Sequence, residues 1–280
     1  MRSFKGWSLA GVACLMAACA SPPETPWAPS ALSFPVIGDI PYSDDDRQVF
    51  EEEVVPAIKV GGYPFVIHIG DYKGGGAPCT PAEDEAQLAL IAQLAPTPVF
   101  YTPGDNEWTD CDRFNDAATG RPASELARLD RLRALFFSGP VSAPAAMGVK
   151  THERVPENAS WTHGGVRFAT VHIVGTGNGF RAVEGDDPAE AGARARLREA
   201  AALDWIRLAS DDAKNENADA LVFAVHADMT DVDAGVLGKP CDGAIAEREQ
   251  ICDAFAALRT AVSKAAKSFD GPTLLIHGDT

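Results

Sequence analysis

Five short polar clusters punctuate this chain, each following an apolar run: Gly38-Asp39-Ile40-Pro41-Tyr42, Gly70-Asp71-Tyr72-Lys73, Gly104-Asp105-Asn106-Glu107, His226-Ala227-Asp228 and Gly278-Asp279-Thr280. Carboxylates, an amide and an imidazole are the donors that divalent cations take. Two such cations, about 3.5–4 Å apart, need several ligands converging from different parts of a chain. The carboxyl ends of neighbouring parallel strands supply that convergence, because they all open into one crevice. A Gly just before the ligand lets the backbone turn sharply there.

The order of the clusters resembles the calcineurin-like metallophosphoesterase superfamily. Its strand ends carry Asp-x-His, Gly-Asp-x-x-Asp, Gly-Asn-His-Asp/Glu, an isolated His and Gly-His-x-His, and the likeness covers roughly residues 34 to 280. The resemblance implies a four-layer αββα sandwich of the α/β class, two divalent metal ions, and hydrolysis of a phosphoester by a metal-bound hydroxide with no covalent enzyme intermediate. It implies Asp39 as a ligand of one metal, Asp71 as the carboxylate bridging both, and His226 as the isolated metal-binding His. In ungapped register Asp105 takes the place of the amide ligand and Asn106 that of the catalytic His. A shift of one residue would instead make Asn106 the ligand and put Glu107 in the acid position. An amide such as Asn106 cannot serve as a general acid, since it does not exchange a proton near neutral pH.

The chain also departs from the pattern. Pro41 stands where many relatives carry a His ligand, so Tyr42 or solvent must compensate, and Asp279 replaces the first His of the last motif. Anionic oxygen in place of softer donors favours Mn²⁺, Mg²⁺, Ca²⁺ or Fe over an all-nitrogen Zn²⁺ site, with the identity left open. The sequence stops at Thr280, one residue before the motif's second His, which implies an incomplete enzyme lacking C-terminal strands of the second sheet. Lys73 or Arg113 could contact a phosphate oxygen, or sit solvated at the surface. The Gly74-Gly75-Gly76 run lacks the Lys-Ser/Thr context of a nucleotide-binding loop and reads as a flexible rim. His68, His172 and His277 lie inside apolar strands and suit core or ligand-supporting hydrogen bonds. No Gly-x-Ser-x-Gly elbow is present, which argues against a serine hydrolase. The competing expectation is a catalytically weak or inactive envelope lipoprotein that keeps the fold, as Pro41 and Asn106 would suggest.

The chain has 280 residues, 46% of them hydrophobic, enough for one sizeable α/β domain. Its formal net charge of −16 would repel nucleic-acid phosphates and anionic membrane surfaces, so the expected partner is a small phosphoester, with no nucleic acid and membrane contact only through an anchor. Arg2 and Lys5 followed by the apolar Leu9 to Ala18 read as an export signal too short to span a bilayer. Leu15-Met16-Ala17-Ala18-Cys19 resembles a bacterial lipobox with Cys19 as the lipidated residue, and cleavage after Ala18-Cys19-Ala20 is the alternative. The first reading implies the periplasmic side of a bacterial envelope, with the Pro-rich residues 20 to 31 as a tether. Setting aside Cys14 and Cys19 leaves Cys79, Cys111, Cys241 and Cys252, an even number that suits an oxidising compartment. If the second and third motifs meet at the metals, the loops after them are neighbours. Cys79 then pairs with Cys111, and Cys241 with Cys252 closes a local loop.

These side chains need an alternating frame to position them. Strands are predicted at 32–37, 65–69, 98–102, 167–174, 220–225 and 273–277 from their apolar runs, and helices at 45–60, 81–94, 123–137, 188–213 and 244–267 from their amphipathic spacing. The Gly-, Pro- and Asp-rich loops 138–157 and 176–188 read as substrate-facing rims or surface insertions.

Overall fold

The computed structural model describes residues 32–279 apart from Pro140 and Ser142. The expected signal, the lipidation at Cys19, the tether and Thr280 lie outside the described residues. The helix starts follow the chain's capping residues. Helices α1 (Asp44–Val49) and α2 (Val55–Gly61) are joined by a π-helical turn, and the Ser43 hydroxyl caps α1 by accepting from Asp46 N. Thr80 caps α3 (Pro81–Ala92), Ser124 caps α4 (Glu125–Phe136), and Asp187 caps α6 (Pro188–Asn215) by accepting from two backbone amides. Each cap satisfies amides that would otherwise lack a partner at a helix start. Between α4 and α6 lies a short turn, α5 (Gly175–Asn178), and α7 spans Ala256–Ser268.

Two sheets carry the clusters. The first contains β1 (Val36–Ile37), β2 (Val66–His68) and β3 (Val99–Tyr101), all parallel. The second runs in chain order through β4 (Lys150–Thr151), β5 (Ala159–His163), β6 (Val166–Thr170), β7 (Ala220–Ala224) and β8 (Thr273–Ile276), and is antiparallel as far as β6 and parallel from β6 to β8. Aromatic rings join the sheets: Phe65 meets Phe168 at 5.0 Å and Trp161 at 5.3 Å, and Phe100 stacks on Trp161 at 3.5 Å. Opposite that seam, Phe50, Ile58, Leu90 and Leu94 pack helices on Val66, and Trp205, Ile206 and Leu258 pack α6 and α7 on Leu221 and Phe223. The molecule is therefore a mixed α/β protein in which both parallel strand sets end on the same side as their polar clusters.

Three expectations about elements need correction. The helix predicted from Ala244 begins only at Ala256. Its first half is instead held extended: Val183 N donates to Ile245 O, Ile245 N to Phe180 O, and the Cys241–Cys252 disulfide closes the loop. The hairpin β5–β6 was missed in its first strand, because Ala159-Ser160-Trp161-Thr162-His163 buries its first three residues and so shows no apolar alternation. The loop 176–188 is not merely a surface insertion, since Phe180, Ala182 and Val183 are buried and the hydroxyl of its first residue lies 3.3 Å from Asp105 Oδ2. Among the described residues no helix is long and apolar enough to cross a membrane. The two disulfides fit a location outside the cytoplasm.

Candidate metal centre

Asp39, Asp71 and Asp279, each at a strand end, adopt left-handed backbone with φ of 56°, 55° and 56°. Asp tolerates this region better than most side chains. The tight turns bring the three side chains towards one another. The strands are stitched together at this end: Asp39 N donates to Gly70 O, and Gly278 N to His226 O. Asp279 N donates to Asp39 Oδ1 at 3.2 Å, closing a separation of 240 residues. Two glycines are required by close approach. A Cβ on Gly104 would collide with Asp71 Oδ1, and one on Gly175 would collide with Asp105 Oδ2 and stand 2.7 Å from Asp279 Oδ2.

The heart of the cluster is Asp71, Asp105 and His226, all buried and close enough together to hold one ion. His226 Nε2 lies 3.4 Å from Asp71 Oδ1 and 3.4 Å from Asp105 Oδ1, and Nδ1 sits 2.8 Å from the carbonyl of Ile69. A donating Nδ1–H leaves the Nε2 lone pair aimed between the carboxylates, as a metal-ligating His requires. Nε2 is buried without a hydrogen-bond partner. Oxygen and nitrogen ligands about 2.1 Å from a common ion stand about 3.0–3.4 Å from one another, so these spacings suit a bound cation.

The electrostatics say the same. Burial, then the nearby Glu107 carboxylate, lift the Asp71 carboxyl well above the usual range, against the pull of His226. Burial opposes charge on His226, yet the adjoining Asp105 and Asp71 carboxylates push it up to about 10. Asp279 is pushed up to about 6 by burial and then by Asp105. Without a cation, protons must supply the missing positive charge, and a cation would displace them.

Tyr42, next to Pro41, turns its hydroxyl to the cluster. Its hydroxyl donates to Asp71 Oδ2 at 3.1 Å and lies 3.4 Å from Asp39 Oδ1. Burial and the charges of Asp71 and Asp39 raise its pKa. Both residues of the third motif turn to the cluster: Asp105 faces His226, and Asn106 donates to Asp71 Oδ1 from its backbone at 3.1 Å and to Asp71 Oδ2 from its side chain. Glu107 turns inward. Its Oε1 accepts from Tyr72 N and Tyr101 OH, each at 3.2 Å, and it is fully buried, so the shifted register with Glu107 as acid at the cleft is not the observed geometry. Lys73 likewise departs from a phosphate contact: its ammonium donates to Ala77 O at 2.8 Å and to Gly74 O at 3.3 Å, fastening its own glycine loop.

The Cys79–Cys111 disulfide joins the loops after the second and third motifs. Its sulfurs rest 3.5 Å from Asn106 O and 3.2 Å from Glu107 O, directly behind the cluster. His68 accepts from Gly70 N at 3.1 Å, with its pKa lowered to about 3 by burial and then by His226, so it shapes the turn ahead of Asp71 as a neutral ring. His172 is buried beside Glu157, and burial likewise holds it neutral. His277 Nδ1 lies 3.0 Å from Gly278 O, next to the last cluster.

Thr176 and Asp110 were missed. The Thr176 hydroxyl donates to Asp110 Oδ1 at 2.9 Å and lies 3.3 Å from Asp105 Oδ2. Thr176 has φ 51°, rare for a β-branched residue, and opens a left-handed run through Gly179. The alternating glycines of Gly175-Thr176-Gly177-Asn178-Gly179 are the signal that could have found it. A cavity of about 610 Å³ lies along β3 among Leu88, Ile91, Phe100, Phe136 and Phe137 and includes none of the cluster. Neither a protein-family model nor a curated protein matches this chain.

Proposed function

We propose that this protein is a metal-dependent phosphoester hydrolase of the metallophosphoesterase type, acting on a small-molecule substrate in a bacterial cell envelope. The observation that carries the reading is the buried Asp71–Asp105–His226 group with an unpartnered Nε2 at its centre. Asp39, Asp279 and Tyr42 gather around it. Sheets joined by an aromatic seam and covered by helices support the four-layer αββα sandwich that the resemblance implies.

In this reading Asp71, Asp105, His226 and Asp279 would hold one cation, and Asp39 and Asp71 the second, with Tyr42 beside them. When bound, such cations lower the pKa of water and neutralise charge developing on a phosphoryl group. The Ile69 carbonyl orients His226 through Nδ1, and Asn106 fixes Asp71 with two hydrogen bonds. In the ungapped register Asn106 takes the place of the catalytic His of the family that the motifs resemble, and an amide cannot donate a proton there. The leaving group therefore departs as its anion, which favours esters of acidic alcohols such as phenols.

The second reading, a catalytically weak or inactive protein that retains a metal, is favoured by the same Asn106 and by Pro41. Hydrolysis of p-nitrophenyl phosphate with Mn²⁺, abolished by chelation, decides between them. Metal uptake without turnover would leave the second reading, and absence of both would refute the two together.

A further inference from the structure

Several contacts surround the cluster and meet at Arg113. On one side Asn106 donates its side-chain amide to Asp71, and its Oδ1 faces the Gly75 backbone beside Arg113. A Cβ on Gly75 would stand 2.5 Å from Asn106 Oδ1 and 2.9 Å from Arg113 Nη1, so the glycine is what lets the two side chains and the loop crowd together. On the other side Arg113 Nη2 bonds Asp110 Oδ2 at 2.7 Å, Asp110 accepts from Thr176 at 2.9 Å, and the Thr176 hydroxyl reaches Asp105. Asp110 is buried, whereas the Arg113 side chain keeps 41% of its surface exposed. The guanidinium is thus held at Nη2 by Asp110 and rests Nη1 against the Gly75 loop, while the side chain stays open to solvent beside the cluster.

The other cations nearby are committed elsewhere. Lys73 fastens its own loop, Arg128 and Arg131 are bound to Asp84, and Arg198 lies over the Trp108 ring. In a chain of net charge −16, with four carboxylates in the cluster, a fixed positive side chain beside the cations would help orient a doubly charged phosphate. A guanidinium suits this, because its planar fork matches phosphate oxygens.

We propose that Arg113 is the phosphate clamp of this site, binding non-bridging oxygens of a phosphoryl group held at the Asp71–Asp105–His226 cluster. The inference rests on the phosphoester-hydrolase reading. Asp110 positions the clamp, and Gly75 makes room for it.

Calorimetric titration of inorganic phosphate into the Mn²⁺-saturated full chain tests this, with Mn²⁺ affinity measured in parallel. Arg113→Gln should weaken phosphate binding about 30-fold, the loss of a charge-assisted pair of hydrogen bonds, and leave Mn²⁺ affinity unchanged. Arg113→Lys should recover part of the loss, because it keeps the charge without the fork. Equal phosphate affinity in the parent and Arg113→Gln would overturn the clamp while leaving the hydrolase reading standing. An equal fall in Mn²⁺ affinity would overturn it too, since Arg113 would then act through Asp110 on the cation ligands. A parent that takes up Mn²⁺ but binds no phosphate would overturn the hydrolase reading and the clamp with it.

Discussion

Asp279→Asn should stabilise the cation-free protein at neutral pH while weakening its hold on metal. The carboxyl of Asp279 is pushed from the ordinary 3.8 up to about 6 by burial and by Asp105. A raised carboxyl pKa means that the folded state disfavours the ionised form. The penalty is absent near pH 3.8, grows as the pH rises, and is complete above about 6. A shift of about two units corresponds to about 3 kcal/mol at most, and partial solvent contact reduces this to about 1–2 kcal/mol. An amide of the same shape carries no charge to penalise, so the variant should melt about 4 °C higher at pH 8 in EDTA. That gain should nearly vanish near pH 4. In saturating Mn²⁺ the order should reverse, since a ligand has been lost. Thermal melts of both proteins at the two pH values, with EDTA and with Mn²⁺, provide the comparison. A stability loss of equal size at pH 4 and pH 8 in EDTA would refute the reasoning, because Asp279 would then be a packing residue and not a carboxylate held against its charge.

Further outcomes follow from the same geometry. Replacing Cys79 and Cys111 by Ser should cost roughly 4 kcal/mol for a bridge spanning 32 residues, against about 3 kcal/mol for the 11 residues between Cys241 and Cys252; in urea melts, only the first loss should be accompanied by weaker Mn²⁺ binding. Thr176→Val keeps the β-branched shape and removes the hydroxyl, so it should weaken Mn²⁺ binding several-fold, and Thr176→Ser should retain most of it; equal affinities in calorimetry would remove Thr176 from the site. Turnover should fall steeply from aryl to alkyl phosphates, because Asn106 cannot protonate the leaving group; equal kcat/KM for the two classes would point to an acid elsewhere.

Much of the frame was legible because its signals are local. Apolar runs ending in Gly-Asp marked β1, β2, β3 and β8, and amphipathic spacing marked the stretches that form α1 to α4 and α6. The Cys79–Cys111 pairing was legible because it followed from two motifs meeting in space. What stayed hidden depends on non-local contacts. The extended segment ahead of α7 is set by Phe180 and Val183, over sixty residues away, and no periodicity in 244–255 records that pairing. Lys73 carries a charge that suits a phosphate, but only the fold of its loop sends it to Ala77 O. Thr176 sits on a segment without apolar periodicity, so its place at the cluster arises from chain crossings alone.

Whether Asp71, Asp105 and His226 share a cation is open to direct test by anomalous scattering from crystals grown with Mn²⁺. A strong peak is expected about 2.1–2.3 Å from His226 Nε2 and from one oxygen each of Asp71 and Asp105. A cluster with no anomalous peak, in which Nε2 instead donates directly to the carboxylates as an imidazolium, would contradict it.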